Sequence, residues 1–482
     1  MRSTMQRIAA VVVALASAST VAAQGQAREQ PPPPAPLRPF VMPPVNEARL
    51  ANGMRLVVVE RHSLPIVTAR MIVDAGSVYE RADKHGVAAL TGTLLVEGGT
   101  QQFTAAELAE QIERLGAQIS SNAGSDLASV SVTALADVFP RALELASQTV
   151  LQPRFDSREF DRVRAQAIAA VEQSRSTVGG LATEAFARAI YDSASSYART
   201  PQGTPTSLRS LTRDDVVSWH RSMYSPQHAT LLIVGDITFA AARQLAERLF
   251  GTWTAPAREP LRLANRAVNP ATTRLILIDR PGSVQSAIYA GQAGIAANDP
   301  EFFPMLALNR VLGGGFNARM NMNLRERRGF TYGAFTTLSA LRGTGTFYAS
   351  SSVRTSATDS ALTEIVSEFR RIVSEPLPDP ELSGAVSNLV ASFPNSLQSV
   401  QDLATRMQTV LVYNLPLDYY ATYRERLAAV TGADISRIVR SRVAPEALTI
   451  VIVGDLSKIE APIRARNFGS VEVWDADGRR IR

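Results

Sequence analysis

The chain has 482 residues, of which 45% are hydrophobic and 20% are charged, a balance that is ordinary for a globular protein. The complete absence of cysteine excludes disulfide bonds and every metal or nucleophilic site that needs a thiolate. The formal net charge of +6 is spread along the chain without a basic block, so nucleic-acid binding is not expected.

The N-terminal residues 1–23 have the pattern of a cleavable secretory signal peptide. Two arginines precede the apolar run Ile8–Leu15, and small residues ending at Ala23 provide a cleavage site. The apolar run is too short to span a bilayer, for which about 20 residues are needed. We therefore expect a periplasmic or secreted protein with no integral membrane segment after signal removal. Residues 24–43 are predicted to form a proline-rich, extended spacer.

The segment 44–255 is predicted to form a first α+β domain. Its clearest elements are a helix over Thr104–Leu115 that opens with a Thr104/Glu107 capping box, strand-like residues Gln118–Leu135, a helix over Phe139–Leu151 and a long helix near Ser157–Arg175. Strands in hairpins on one side and helices packed on the other form a two-layer α/β roll with an antiparallel-rich sheet.

An internal duplication predicts a second domain of the same kind over 272–470, after a Pro/Ala/Asn-rich linker at 256–271. Residues 212–238 align without gaps with residues 431–457 at an offset of 219, and ten of the 27 positions are identical. Each copy has the pattern of a capped helix, a turn with proline, a buried strand and a Gly-Asp turn into another helix. We expect the two homologous domains to enclose a cavity.

The stretch Gly86–Thr100 reads GVAALTGTLLVEGGT. It resembles the segment G-[LV]-A-H-x-x-E-H-x-L-x-x-G-T of the pitrilysin/insulinase-type zinc peptidases, also called inverzincins. In that family the two His hold Zn²⁺ and the Glu activates the bound water. Here the His positions are Ala89 and Thr93 and the Glu position is Gly92, so the resemblance implies a degenerate site with no metal and no cofactor in this chain.

The stretch 312–333, LGGGFNARMNMNLRERRGFTYG, resembles the second signature of the same family, L-G-G-G-x-x-S-R-L…L-R-x-x-x-G-x-x-Y. The resemblance implies that Arg325 and Tyr332 are catalytic residues that face the interdomain cavity. A phenol can donate a hydrogen bond to a developing oxyanion, and a guanidinium can bind a peptide carbonyl or carboxylate. Gly313, Gly314, Gly315 and Phe316 are the expected substrate-binding residues.

Metal binding elsewhere is not expected. The four histidines, His62, His85, His220 and His228, include no pair at the i, i+3 or i+4 spacing of a helical metal site, so structural or surface roles fit them better. The family's third ligand is a Glu some seventy to eighty residues beyond the first motif. Glu172 lies near that place, but without the other ligands it is a lone carboxylate.

These features lead to three hypotheses. The first is a subunit that is inactive alone and supplies Arg325, Tyr332 and substrate-binding surface to a zinc-bearing sister subunit, forming a periplasmic heterodimeric endopeptidase for unfolded peptides. The second is a non-catalytic scaffold, like the structural core subunits that the family contributes to larger assemblies. The third is an autonomous hydrolase with relocated catalytic groups. A neighbouring gene with an intact H-x-x-E-H motif would favour the first.

Overall fold

The computed structural model of the protein describes residues 41–256, 258, 267 and 269–482. The predicted signal peptide at 1–23, the predicted spacer up to residue 40 and most of the predicted linker at 256–271 therefore lie outside the described residues. Within the described part of the chain, none of the helices combines the length and the apolar character that crossing a membrane requires.

The first half of the chain forms one six-stranded sheet. Its strands are β1 (Val45–Arg49), β2 (Arg55–Glu60), β3 (Ile66–Val73), β4 (Gln118–Ala123), β5 (Ala128–Leu135) and β6 (Ala229–Gly235). They lie in the order β1-β2-β6-β3-β5-β4, and the β2–β6 pair is parallel while the others are antiparallel. The central strands are apolar on both faces, which is typical of a sheet that is covered on both sides.

The second half repeats this arrangement. Its strands are β7 (Arg274–Asp279), β8 (Gln285–Ala293), β9 (Thr331–Ser339), β10 (Thr346–Arg354), β11 (Thr449–Gly454) and β12 (Ser470–Trp474). The order β12-β7-β11-β8-β10-β9 matches the first sheet place by place, again with a parallel pair between β7 and β11. The outermost position is filled differently, because β12 comes from the end of its half and runs parallel to β7.

The helices follow the same duplication. Those of the first half are α1 (Val87–Glu97), α2 (Ala105–Arg114), α3 (Phe139–Leu151), α4 (Ser157–Arg175), α5 (Val178–Ile190), α6 (Pro205–Ser210), α7 (Arg213–Met223) and α8 (Phe239–Phe250). Those of the second half are α9 (Phe302–Leu312), α10 (Arg319–Asn321, continued as a π-helix over Met322–Arg327), α11 (Thr358–Ser374), α12 (Asp379–Ser392), α13 (Val400–Val412), α14 (Tyr423–Ala428), α15 (Gly432–Arg442) and α16 (Leu456–Ala465).

The repeated sequence occupies the same place in both halves. A capping box of Thr212 with Asp215 begins α7, and a capping box of Thr431 with Asp434 begins α15. The strands that follow, β6 and β11, each lie between the parallel and the antiparallel neighbour of their sheet. The predicted α+β class with two homologous domains is therefore confirmed.

The two halves exchange helices across their boundary. The inner face of each sheet packs against helices of its own half, and the outer face is covered by one helix from the other half. Leu181 and Phe186 of α5 pack on Ile276 and Val451 of the second sheet. In the equivalent place, Leu403 and Met407 of α13 pack on the first sheet, against its outward-facing valine and leucine residues. Each sequence half therefore completes the core of the other.

A polar seam also joins the two halves, where the loop after β4 meets the equivalent loop after β9. The backbone N–H of Arg342 donates to the Asp126 carboxylate at 3.1 Å. The hydroxyl of Tyr197 donates to the same carboxylate at 2.5 Å, and the N–H of Gly343 donates to that hydroxyl at 3.2 Å. Burial, followed by the Asp126 charge, raises the pKa of Tyr197, so the phenol remains protonated and can donate this bond.

Candidate functional site

The helix that carries the degenerate motif, α1, begins at a buried carboxylate. Glu80 accepts hydrogen bonds from the backbone N–H groups of Gly86 at 3.1 Å and Ala88 at 2.7 Å, which have no partner within the helix. The Nδ1 atom of His85 lies 2.9 Å from the same carboxylate. His85 is therefore part of the helix start, outside the motif positions.

The motif position that carries Glu in the zinc peptidases, Gly92, has no room for a side chain. A Cβ atom there would lie 2.9 Å from the backbone nitrogen of Ala123 and 2.9 Å from the carbonyl carbon of Asn122. The hydroxyl of Ser121 also donates to the Gly92 carbonyl at 2.5 Å. The helix thus lies directly against the edge strand β4, an approach that glycine permits because it lacks a Cβ.

A cavity of about 350 Å³ opens beside the two former His positions. Its walls come from α1, α4, α5, α6 and the segment that leads into α6. The lining residues are Ala89, Leu90, Thr93, Ala167, Ala170, Val171, Ser174, Arg175, Gly180, Thr183, Glu184, Thr200, Gln202 and Leu208. The volume and the mostly apolar lining are typical of a site that takes a small organic group.

The place expected for a third metal ligand contains no carboxylate. The residues of α4 that line the cavity are small or aliphatic, apart from Ser174 and Arg175. Glu172 does not line it: the carboxylate is 52% exposed and bonds the guanidinium of Arg209 at 2.5 Å. This arrangement follows from helical periodicity, because a residue two positions from Ala170 points away from the face that Ala170 occupies.

The residues present do not fit a zinc ion. Among the cavity-lining residues Glu184 is the one acid, and it forms ion pairs with Arg175 and Arg188, both at 3.1 Å. Ala89 has no donor atom, and the hydroxyl of Thr93 donates back to the Ala89 carbonyl at 3.2 Å. No group of three or more His, Cys, Asp or Glu side chains in the described residues is placed to hold a metal ion.

The second candidate centre is built from the loop after α9, the π-helical segment after α10 and the edge strand β9. The guanidinium carbon of Arg325 lies 4.5 Å from the ring centroid of Phe316, and the ring is 53% exposed. The same guanidinium pairs with Glu326 at 3.2 Å. The structure therefore brings together Arg325 and Phe316, and the π-helical turn, a feature frequently found at functional sites, lies under the arginine.

Tyr332 stands at an irregularity in the pairing of β9 with β10. Ser351 pairs with Ala334 but Val353 pairs with Thr331, so two residues of β9, Tyr332 and Gly333, oppose one residue of β10. Such a β-bulge redirects a side chain out of the regular alternation of the strand. Tyr332 is 90% exposed, and its predicted catalytic role toward an interdomain cavity stays a prediction. Neither Tyr332 nor Arg325 lines the cavity beside Ala89.

The glycine run before Phe316 allows two close contacts with backbone and one with an arginine side chain. A Cβ at Gly313 would lie 2.4 Å from the nitrogen of Thr336, which donates to the Gly313 carbonyl at 3.0 Å. Additional Cβ atoms at Gly314 and Gly315 would collide with Asn309 and with the guanidinium of Arg310. These contacts explain the small residues structurally. The predicted contact of the loop with substrate stays a prediction.

One buried residue that sequence reasoning missed holds the second centre together. The side-chain amide of Asn321 donates to the Phe316 carbonyl at 2.7 Å and accepts from the backbone N–H of Ala334 at 3.2 Å. Asn321 is fully buried, so it links the glycine loop to the edge strand beside Tyr332. An asparagine in a polar, Arg-rich segment carries no pattern that would mark it from sequence.

Known proteins resemble both halves of the chain. Residues 55–198 match the family described as Insulinase (Peptidase family M16), and residues 210–389 match the family described as Peptidase M16 inactive domain. An uncharacterized zinc protease of Streptomyces coelicolor is 23% identical over 86% of this chain and 91% of its own length. The mitochondrial-processing peptidase subunit beta of Saccharomyces cerevisiae is 21% identical, with 87% and 93% covered.

Solved structures share the fold along the same length. A peptidase M16 inactive domain from Pseudomonas fluorescens superposes with a TM-score of 0.79 at 26% identity, covering 85% of this chain and 98% of that one. A protease from Helicobacter pylori superposes with a TM-score of 0.78 at 19% identity, covering 85% and 99%. With two matching family halves and a matching fold, the chain belongs to the M16 family of pitrilysin/insulinase-type peptidases and contains a domain of its inactive type.

Proposed function

We propose that this chain is the non-metal-binding subunit of an exported, periplasmic two-chain zinc endopeptidase that cleaves unfolded peptides. In this proposal a sister M16 chain with an intact H-x-x-E-H helix holds the zinc, and this chain supplies Arg325, Tyr332 and part of the peptide-binding surface. The observation that carries the proposal is a contrast within one chain. The metal positions Ala89 and Thr93 have lost every ligand, whereas Arg325 and Tyr332 are retained, with Tyr332 exposed and Arg325 partly exposed.

The exposed side chains of the second candidate centre support a role in contacting another protein chain. Tyr332 is 90% exposed on an edge strand, and the half-exposed ring of Phe316 stacks with the Arg325 guanidinium, so both rings are available for contact with a partner. Aromatic residues and arginine are also the residues most enriched at the centres of protein interfaces. One relative, the yeast mitochondrial-processing peptidase subunit beta, is by its name a subunit of an assembly.

The two side chains suit amide hydrolysis carried out beside a partner's metal site. The hydroxyl of Tyr332 can donate a hydrogen bond to the oxyanion that forms when water adds to a peptide carbonyl. The guanidinium of Arg325, oriented by its stacking on Phe316, can bind a neighbouring carbonyl of the same peptide through two donors.

An extended peptide can be bound by adding a strand to a sheet edge. In the second sheet the N–H groups of Ala334 and Thr336 on β9 are used by Asn321 and Gly313, so this stretch of the edge is occupied. In the first sheet the equivalent edge strand is β4, which runs beside α1. We therefore assign peptide pairing to β4 and carbonyl contacts to Arg325 and Tyr332.

Co-purification from the native organism followed by kinetics tests the proposal. The tagged chain is expected to copurify with an M16 chain that carries H-x-x-E-H and zinc, and the complex should have chelator-sensitive endopeptidase activity. Tyr332→Phe should then lower kcat by about 10²–10³-fold with little change in KM, as is typical for loss of one oxyanion donor. Arg325→Ala should also raise KM, because binding and orientation are both lost.

Matched variants separate chemistry from folding. Arg327→Ala removes an exposed arginine from the same segment and should leave kcat and KM within about twofold of the unmodified complex, the range expected of a solvent-exposed charge. Tyr332→Ala compared with Tyr332→Phe distinguishes the ring from the hydroxyl. If a complex forms and both Arg325 and Tyr332 variants retain full turnover, the chain is instead a scaffold subunit.

A further inference from the structure

We infer that the cavity left at the former metal site binds the apolar side chain of an extended peptide, and that this chain thereby selects peptides with a Leu- or Phe-sized residue. The inference rests on the proposed function for its ligand class, a peptide. It goes beyond that function by assigning a binding role to the degenerate half of the chain, which the proposal leaves without one.

The cavity walls have the chemistry that an apolar side chain requires. Ala89, Leu90, Ala170, Val171 and Leu208 line it with methyl and methylene groups. The volume of about 350 Å³ accommodates a large aliphatic or aromatic side chain. Burial of such a group in an apolar cavity is favourable in proportion to the area removed from water.

The charged residues at the cavity are neutralised by one another. The guanidinium of Arg175 lies 3.1 Å from Glu184 and 2.7 Å from Asp477, and Glu184 also pairs with Arg188. The Arg175 guanidinium lowers the pKa of Asp477, so this partner keeps its charge at neutral pH. Two cations and two anions leave no net charge to attract an anion or a metal ion, which favours an uncharged occupant.

Polar groups on the cavity lining suit a peptide backbone better than a hydrocarbon. Ser174, Thr200 and Gln202 are polar residues of the lining, and hydroxyl and amide groups of this kind can bond the N–H and C=O groups that flank a bound side chain. The edge strand β4, which can pair with an extended peptide, contacts the same helix α1 through the Ser121–Gly92 hydrogen bond. A strand paired at β4 would thus run beside the helix that forms one wall of the cavity.

Peptide binding by the isolated full chain tests the inference without the partner subunit. The probe is a fluorescein-labelled nonapeptide of Gly, Ser and Thr with one central guest residue, and affinity is measured by fluorescence anisotropy. The Leu and Phe guests should bind about 10- to 100-fold more tightly than the Ala guest, the range expected for burying such a side chain. A Glu guest should bind no better than Ala.

Two alanines of α4 provide a matched pair of variants. Ala170→Phe fills the cavity from an exposed position and should abolish the preference for Leu and Phe. Ala169→Phe adds the same ring at the neighbouring exposed position, outside the cavity lining, and should leave the preference intact. Because both positions are exposed, neither variant disturbs the core.

Three results would overturn the inference. They are equal affinity for all guests, an apolar preference that survives Ala170→Phe, and binding of free decanoate in the cavity without binding of any peptide. The outcome is independent of the proposed function, since the assay contains neither zinc nor the sister chain. The Tyr332 variant of the complex could therefore lose turnover even if the isolated chain shows no preference for apolar guests. The isolated chain could equally show that preference even if the Tyr332 variant keeps full turnover.

Discussion

The guanidinium of Arg342 lies 2.7 Å from the carboxylate of Asp74, and this ion pair connects the loop after β9 to the end of β3 in the other half. Arg342 also donates to the hydroxyl of Tyr79 at 2.9 Å. Burial opposes the charge of the arginine, but Asp74 outweighs it and raises the pKa of Arg342 above its ordinary value. The positive charge of Arg342, at the seam between the two halves, is thus stabilised by the carboxylate of Asp74.

We expect Arg342→Ala to lower the free energy of unfolding by about 2–3 kcal/mol, because charge-assisted hydrogen bonds are lost and Asp74 is left partly buried. Urea unfolding at constant pH measures the change. The control is Arg81→Ala, which removes a fully exposed pair with Asp83 and should change the free energy of unfolding much less. Equal effects of the two variants would contradict a structural role for the seam.

The contact between Gly92 and β4 predicts the sign of a glycine substitution. In an open helix, Gly→Ala stabilises by roughly 0.5–1 kcal/mol. At Gly92 the added Cβ would meet backbone atoms at 2.9 Å, so we expect Gly92→Ala to destabilise by about 1–3 kcal/mol. Gly384→Ala is the control, since that glycine of α12 has open space around it and should show the stabilising sign. Thermal unfolding measures both effects: the melting temperature should fall for Gly92→Ala and rise for Gly384→Ala.

The isolated protein should bind no stoichiometric zinc and cleave no peptide, because no motif position offers a ligand or a base. Elemental analysis of purified protein and a chelator-sensitive peptidase assay measure this directly. One tightly held Zn²⁺ per chain would contradict the assignment. Introducing His at Ala89 and Thr93 should not restore activity either, since Gly92 has no space for the general base.

Mild acid should weaken the fold through His220. Burial lowers the pKa of His220, and the hydrogen bond to the Val150 carbonyl at 2.8 Å opposes this only in part. The unfolded chain therefore takes up the proton first, near its ordinary pKa of about 6.5, and stability falls as the pH drops below that value.

We expect His220→Gln, which keeps an N–H donor but does not titrate, to reduce the loss of unfolding free energy between about pH 7 and 5.5. His62→Gln serves as the control with the opposite sign. Hydrogen bonds to Asp236 and Glu60 raise the pKa of His62, so its contribution is present at low pH and is lost as the pH rises through the folded-state value. An unchanged acid response in the His220 variant would contradict the argument.

Much of the fold could be predicted because local signals and the duplication agree. The helices at Phe139–Leu151 and Ser157–Arg175 have the predicted bounds, since each has a strong apolar period and a defined start. The strand-like stretch 118–135 is a hairpin whose two strands are separated by a turn at residues 124–127. The exchange of α5 and α13 could not be predicted, because an amphipathic helix does not specify which sheet it covers.

For the candidate site, the sequence motifs predicted which residue types are present, but not how their side chains are arranged in space. The loss of ligands at Ala89 and Thr93 could be read from the sequence. The cavity that replaced them depends on which residues of α4 face α1, and Glu172 shows that sequence proximity does not decide this. The exposure of Tyr332 depends on a shift in strand pairing, which arises from contacts between β9 and β10 rather than from local sequence.

The exchanged helices also constrain how a peptide could enter and leave. Pulling the two halves apart would expose the apolar outer faces of both sheets to water at once. Opening at a hinge between the two halves is therefore unfavourable. In the two-chain peptidase that we propose, opening and closing of a peptide chamber would then take place at the boundary with the sister chain, and the rate of peptide entry would depend on how tightly the two chains bind each other.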